Sequence, residues 1–444
     1  MAQSVAFGQF ESGGFTETIG EGNAAWLTSM EEARGIGSFD SAVLAFRQEQ
    51  LIEGFSAASV SRAIWAMGKQ GSGGSHVGIA DLAETALSRI DEFTFPQLSM
   101  IQWGLAKRRS HEELCQKAMA LAYASLTPGL HLMQWQPGNT WLVCSLWAVA
   151  KLRLRGEELQ VFAKRCLDQI SGNVDKSRED LSVEQLASVF WACAELQGSD
   201  APALAEAAQS FMLWCVRAAS WKEDLSSSPQ ELAMLLWALA KVFGSRTRSV
   251  CNSSDLAAID RLVGKAAHAA SQRISHFSPQ VVADISWALA TLNLGIAAAT
   301  DVYIRMMQDV PSRVREFPPK AIANCCWALR QASRNKLMKV SFTFREVVAQ
   351  DVQRRLGQFE LQDLAGITSV LILGEPNMQV HNLCLLLVIY ASAKERWIDR
   401  KVACSIATSG VAVGLQAEVM SLLEPKLKAS HVPQGLQAEA LPQA

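Results

Sequence analysis

Three positions around a recurring tryptophan carry the side chains on which any chemistry must rest. Seven residues before it stand Gln230, Gln280, Lys320 and Gln362. Three before it stand Arg62, Ser188, Asp284 and Asn324, and four after it Lys69, Lys107, Lys151, Glu195, Lys241 and Gln331. On a helix these positions fall in one narrow line, roughly 20° to 60° from the tryptophan. Amides, hydroxyls and charges so placed donate and accept hydrogen bonds and attract ions. Stacked unit on unit, the line becomes a ladder of polar rungs able to read an extended polymer. The same residues also fit a solvated helix edge, because lysine near a helix end suits the dipole.

No catalytic signature competes with that line. The chain holds no G-x-x-x-x-G-K-[ST] phosphate loop, no G-x-G-x-x-G, no H-E-x-x-H and no G-x-S-x-G. Residues 71–75 are Gly-rich but lack the lysine of a phosphate cradle. The seven His are scattered singly, and no two carboxylates are spaced for acid–base work. The ten Cys form no C-x-x-C pair. Cys144, Cys193, Cys325 and Cys326 sit inside the helical motif as small apolar residues, which fits a reducing compartment. We therefore expect a non-catalytic protein with no metal, no cofactor and no small-molecule substrate.

The elements that must position the line repeat along the chain. Ser228–Gly244 shows the pattern best: Ser228 suits an N-cap, Pro229 the first helical position, and Gly244 the stop. The tryptophan recurs at Trp65, Trp103, Trp147, Trp191, Trp237, Trp287 and Trp327, and an eighth copy over Asp363–Gly374 places Ser369 there. Steps of 38, 44, 44, 46, 50, 40 and 42 residues mark a stacked-repeat architecture. The expected fold is all-α: an αα-repeat solenoid, or superhelix, of about eight units of 38–50 residues. Second helices are expected over 78–90, 112–126, 157–170, 203–219, 255–274, 301–314, 344–356 and 379–393. Residues 1–38 read as a flexible leader, 39–54 as an N-terminal capping helix, 55–398 as the array, 399–430 as a C-terminal capping helix, and 431–444 as a disordered tail.

Within the motif helix, five before and two after the tryptophan, the residues are aliphatic (Val60, Leu98, Leu142; Met67, Leu105, Val149 and their counterparts) and point away from the indole. Small residues such as Ala187, Ala233, Ala106 and Ala150 flank the indole itself. The expectation is a helix apolar on two sides, with the aliphatic side on its own unit and the Trp/Ala side on the neighbouring one. Phe55, Phe93, Phe277, Phe317 and Phe359, ten before the tryptophan position, suit hydrophobic staples.

Net charge is −2 and the pI about 6.4, so no global polyanion-binding signature exists. No uncharged run approaches the ~20 residues of a membrane span, so no membrane partner is expected. The leader lacks Lys and Arg before Arg34 and carries Glu11, Glu17 and Glu21, unlike a transit peptide.

The string F-S-P-Q-x-x-A-x-x-x-W-A-L-A-x-L at Phe277–Leu292 resembles the helical repeats of organellar RNA-metabolism proteins. These are the octotricopeptide repeats and the related repeats of FAST-kinase-like and RAP-domain proteins. It is also similar to a helical-repeat subunit of the mitochondrial RNA-editing substrate-binding complex. The resemblance covers Phe55 to Gly374. It implies binding of single-stranded RNA, RNA-processing proteins as further partners, and a role in RNA processing, stability or translation in a mitochondrion or plastid. No RAP segment is recognisable after Gly374, so nuclease activity is not implied. Without import into an organelle, the expected compartment is the cytoplasm. The rival expectation is a protein-interaction scaffold of the armadillo/HEAT-like type, holding a peptide or helix in a concave groove; the near-neutral charge favours it.

Overall fold

The computed structural model describes residues 55–69, 77–108, 116–119, 138–153, 156–177, 181–197, 202–219, 228–244, 251–294, 297–373, 378–384 and 387. The expected leader, both capping helices and the tail lie outside the described residues. Among the described residues, every regular element is an α-helix or a short 3₁₀ turn, and the fold is an αα-repeat solenoid.

Two compact units divide the chain at Ala219/Ser220. The first contains α1 (Ala57–Lys69), α2 (Val77–Ser88), α3 (Phe95–Arg108), α4 (Asn139–Leu152), α5 (Glu157–Ser177), α6 (Val183–Leu196) and α7 (Pro202–Ala219). The second contains α8 (Pro229–Val242), α9 (Ser253–Arg273), α10 (Pro279–Leu292), α11 (Ala297–Ser312), α12 (Pro319–Arg334), α13 (Phe342–Arg354) and α14 (Leu361–Leu371). The motif helices are α1, α3, α4 and α6 in the first unit and α8, α10, α12 and α14 in the second. In each unit successive motif helices pack side by side as one layer, and the second helices form the other.

Local sequence chemistry sets the helix starts. Ser228 accepts from the Glu231 N–H while the Glu231 carboxylate accepts from the Ser228 N–H, and Ser182 with Gln185 does the same for α6. Ser278, Asn252 and Ser341 cap α10, α9 and α13. Gly244 stops the α8 segment with φ of +45°, a conformation that favours glycine.

The aliphatic side of the motif is the deepest part of the core. Val60, Leu98, Leu142, Leu186, Leu232, Val282, Ile322 and Leu364 are all buried, as are Met67, Leu105, Val149, Cys193, Leu239, Leu289, Leu329 and Leu371. The helices α1 and α3 approach so closely that a Cβ on Gly104 would lie 2.5 Å from the Ile64 carbonyl oxygen. A Cβ on Gly68 would lie 2.7 Å from the Gly104 Cα, so both positions require glycine for contact at this range.

The second helices stop earlier than expected at four places. Residues Ile90, Ile274, Val314 and Leu356 open 3₁₀ turns instead of continuing α2, α9, α11 and α13. The break falls at an arginine each time: Arg89, Arg273, Arg313 and Arg355 have φ between −113° and −137°. Each is followed four residues later by a buried phenylalanine, Phe93, Phe277, Phe317 or Phe359. The guanidinium of Arg273, Arg313 and Arg355 lies 5.9, 5.5 and 5.6 Å from the ring of its own phenylalanine.

Three of these arginines, Arg89, Arg313 and Arg355, also tie one repeat to the one before. Arg89 donates to the Phe55 carbonyl at 2.7 Å, and Arg355 to the Phe317 carbonyl at 3.1 Å and the Val314 carbonyl at 3.4 Å. Arg313 reaches the Ile274 carbonyl at 3.4 Å. A carboxylate fixes each fork: Glu92 for Arg89, Asp309 for Arg313 and Asp351 for Arg355. The second helix therefore ends where its arginine turns back to satisfy the preceding turn's carbonyls.

Because Asp351 is buried, Arg355→Ala leaves a carboxylate without its cation and should cost about 3 kcal/mol or more. Urea unfolding measures the loss. A cost below about 1 kcal/mol, that of a surface pair, would contradict the clamp.

Candidate functional site

In the first unit the motif indoles form a continuous row. Trp65 and Trp103 have ring centroids 6.2 Å apart, Trp103 and Trp147 6.2 Å, and Trp147 and Trp191 5.6 Å, with interplanar tilts of 45°, 39° and 34°. Offset, tilted pairs at such distances suit the ring quadrupoles. Trp103, Trp147 and Trp191 are buried and Trp65 is half-buried. The Trp147 Nε1–H is buried without a hydrogen-bond partner in the protein.

The residue four after each indole sits on the row. Lys69 Nζ lies 3.7 Å from the Trp65 centroid. Lys107 is placed between two rings, 5.2 Å from Trp103 and 5.2 Å from Trp147. Lys151 is placed likewise, 5.7 Å from Trp147 and 5.8 Å from Trp191. Each cation thereby gains roughly 0.5–2 kcal/mol from the indole faces, more where water is excluded. Lys107 is drawn down to about 8, first because it is buried and second because of the Lys151 charge.

Electrostatics sharpen this row further. The helices α1, α3 and α4 carry five charged side chains, Arg62, Lys69, Lys107, Arg108 and Lys151, and not one carboxylate. Arg108 points into the packing and donates to the Met67 carbonyl at 2.9 Å. The next motif helix, α6, reverses sign: it carries Glu184 and Glu195 and no cation. Glu195 lies 3.8 Å from Arg153.

The second unit uses the same positions differently. Lys241 Nζ lies 4.7 Å from the Trp237 centroid, and Trp287 and Trp327 are 6.3 Å apart at 31°. Asp284 is buried; burial pushes it up to about 6, partly offset by Gln280, whose amide donates to it at 2.9 Å. Lys320 donates to Asp363 on α14 at 2.8 Å. The same relation, seven before one indole position to six before the next, pairs Thr140 with Gln185 at 2.9 Å in the first unit. Gln230, Asn324 and Gln331 are half-buried, and Gln362 is exposed. Ser188 is buried, out of reach of any polymer.

The expected line is thus a series of separate groups. Lys69, Lys107 and Lys151 come together as a cationic strip, with Arg62 half-buried on α1. Gln280, Asp284 and Lys320 are engaged with protein partners. Sequence reasoning missed the acid-free composition of α1, α3 and α4, which a count of charge sign per helix reveals. It also missed the Arg-x-x-x-Phe spacing of the clamps.

No group of three or more His, Cys, Asp or Glu among the described residues is placed to hold a metal ion. Burial pushes the thiols of Cys144, Cys166, Cys193, Cys215, Cys325 and Cys326 far up, which makes them inert. No described helix is long and apolar enough to cross a membrane. A scan of the chain against protein-family models matches none, and no curated protein matches it either.

Two outcomes follow from this geometry. Trp147→Ala should cost about 3–5 kcal/mol by chemical unfolding, as a buried aromatic cavity does, and Trp237→Ala less, because Trp237 is half-buried. Equal losses would contradict the difference in burial. Asp284 is raised on folding, so its contribution is complete below its ordinary value near 4 and is lost as pH rises through about 6. Asp284→Asn should therefore gain up to about 3 kcal/mol relative to the parent on going from pH 4 to pH 7.5. A pH-independent difference between the two unfolding curves would exclude that assignment.

Proposed function

We propose that this protein binds single-stranded RNA without catalysing a reaction on it. The contact surface is the strip of Lys69, Lys107 and Lys151 on α1, α3 and α4, and the role is in organellar RNA processing, stability or translation. The observation that carries the reading is the acid-free character of those three helices in a chain of net charge −2. A sign bias that local attracts a polyanion while the rest of the chain stays neutral. The repeat motif and its resemblance to RNA-metabolism proteins point the same way.

Because Trp103 and Trp147 are buried, the bases do not stack on them; the ammonium groups above them meet the phosphates. Successive motif helices lie roughly 8–10 Å apart, which spreads the cations along a strand and not over a compact ligand. A protein scaffold for a peptide or helix remains the rival, favoured by overall charge alone.

Phosphate contacts by three lysines predict a log–log salt slope near −2 for single-stranded RNA from this strip alone. Simultaneous replacement of Lys69, Lys107 and Lys151 by Ala should weaken binding of an unstructured oligoribonucleotide and reduce the slope by about 2. Fluorescence anisotropy across a salt series reads both. Absence of binding by the intact chain at low salt would overturn the RNA reading. An unchanged slope in the triple variant would place the contact elsewhere.

A further inference from the structure

We propose that the connector between α12 and α13, in the second unit, is a further contact for single-stranded RNA. A base stacks on Phe342, and Arg334, Lys336 and Lys339 hold the phosphates beside it. The proposal takes its ligand from the RNA reading above and needs nothing of the lysine strip.

Charge selects an anion at this edge. From Phe317 to Arg345 the chain carries Lys320, Arg330, Arg334, Lys336, Lys339 and Arg345 and not one carboxylate, in a protein of net charge −2. Lys320 is taken by Asp363, and Arg345 is buried and donates to the Leu371 carbonyl at 3.3 Å. Arg334, Lys336 and Lys339 are exposed and Arg330 is half-buried. Among the described residues, no carboxylate pairs with any of these four. The acids of α11 and α13 are otherwise placed: Asp309 and Asp351 are held by Arg313 and Arg355, and Asp301 and Glu346 form no ion pair with described residues. Arg330 and Arg334 stand one turn apart on α12, where like charges repel, and an anion relieves that repulsion.

An exposed ring makes a nucleic acid the fitting anion. Phe342 is 53% exposed and is the one aromatic among the exposed large hydrophobic side chains of the described residues. The Arg345 guanidinium lies 5.8 Å from its ring and steadies it. Single-stranded RNA stacks bases on aromatic faces while its phosphates meet lysine and arginine. An acidic peptide would use the cations and leave the ring without a planar partner. Lys339 stands three residues before Phe342, a span of at most about 10 Å, so one nucleotide can meet both side chains.

The connector is also a fixed platform. The Lys336 N–H donates to the Ser333 carbonyl and the Leu337 N–H to the Ala332 carbonyl, both at 3.0 Å. Asn335 donates through its amide to Asn293 Oδ1 at 2.6 Å, which ties the turn to the end of α10. At the far end Val340 is buried and Ser341 caps α13. Side chains displayed from a turn so held need little ordering when a strand arrives.

The test titrates the full chain with a labelled oligouridylate across a salt series, read by fluorescence anisotropy. Phe342→Ala should weaken binding about tenfold and leave the log–log salt slope unchanged, because stacking releases no counterions. Phe342→Trp should bind as the parent does or more tightly. The double variant Lys336→Ala/Lys339→Ala should lower the slope by about 1.4, for two phosphate contacts to a single strand. Phe342, Lys336 and Lys339 are exposed, so helical circular dichroism of each variant should match the parent.

Parental binding that neither variant alters overturns this inference and leaves the RNA reading standing on the strip. Either effect without the other overturns it as well, because the contact needs both ring and cations. A glutamate-rich peptide whose binding is lost in Phe342→Ala, while RNA binding is kept, makes the edge a protein site and also overturns it. No RNA binding by the parent at low salt overturns both readings.

Discussion

Close approach of successive motif helices is the constraint on which this structure depends. Layers of helices joined only by short-range contacts hold when small residues let the backbones meet and large ones fill what remains. Between α1 and α3 the approach is limited by Gly68 and Gly104, where a methyl group would strike the backbone of the facing helix. The indoles fill the rim of that contact and so line up ring against ring. On the opposite side of the same helices the aliphatic residues are sealed in the core. At the C-terminal ends of α2, α11 and α13 the arginine clamps fix the spacing by binding carbonyls of the preceding repeat.

A cationic strip follows from that packing in the first unit. A row of indole faces is a poor platform for a nucleobase when the rings are buried, yet it is a good seat for a cation. Lysine four residues on from each indole fills that seat in α1, α3 and α4. The arrangement costs something: burial and mutual repulsion oppose the charge on Lys107. The second unit shows the contrasting solution. There corresponding positions satisfy one another, Gln280 with Asp284 and Lys320 with Asp363.

The sequence revealed the fold well, and the reasons are physical. Trp65 through Trp327 recur on one helical face, and caps such as Ser228 with Pro229 mark where each helix starts. Helix ends were less legible. The stop at Arg355 depends on carbonyls of Val314 and Phe317, far away in sequence, so propensity carried the expected helix on to Leu356. The polar line was legible as a set of positions but not as an environment. Ser188 and Asp284 share a wheel position with Arg62, yet the neighbouring helices bury the first two and leave Arg62 half-exposed. Lys320 reads as a solvated helix start, but Asp363 on the next motif helix takes it as a partner.

The proposed function puts a single-stranded RNA on the lysine-over-indole strip of the first unit. Photocrosslinking of the full chain to an oligoribonucleotide carrying photoreactive pyrimidines, with the modified peptides located by mass spectrometry, tests it most directly. If RNA lies on that strip, crosslinks concentrate in peptides from α1, α3 and α4, around Lys69, Lys107 and Lys151. Crosslinks confined to the second unit, or none above the level given by a denatured chain, would contradict it.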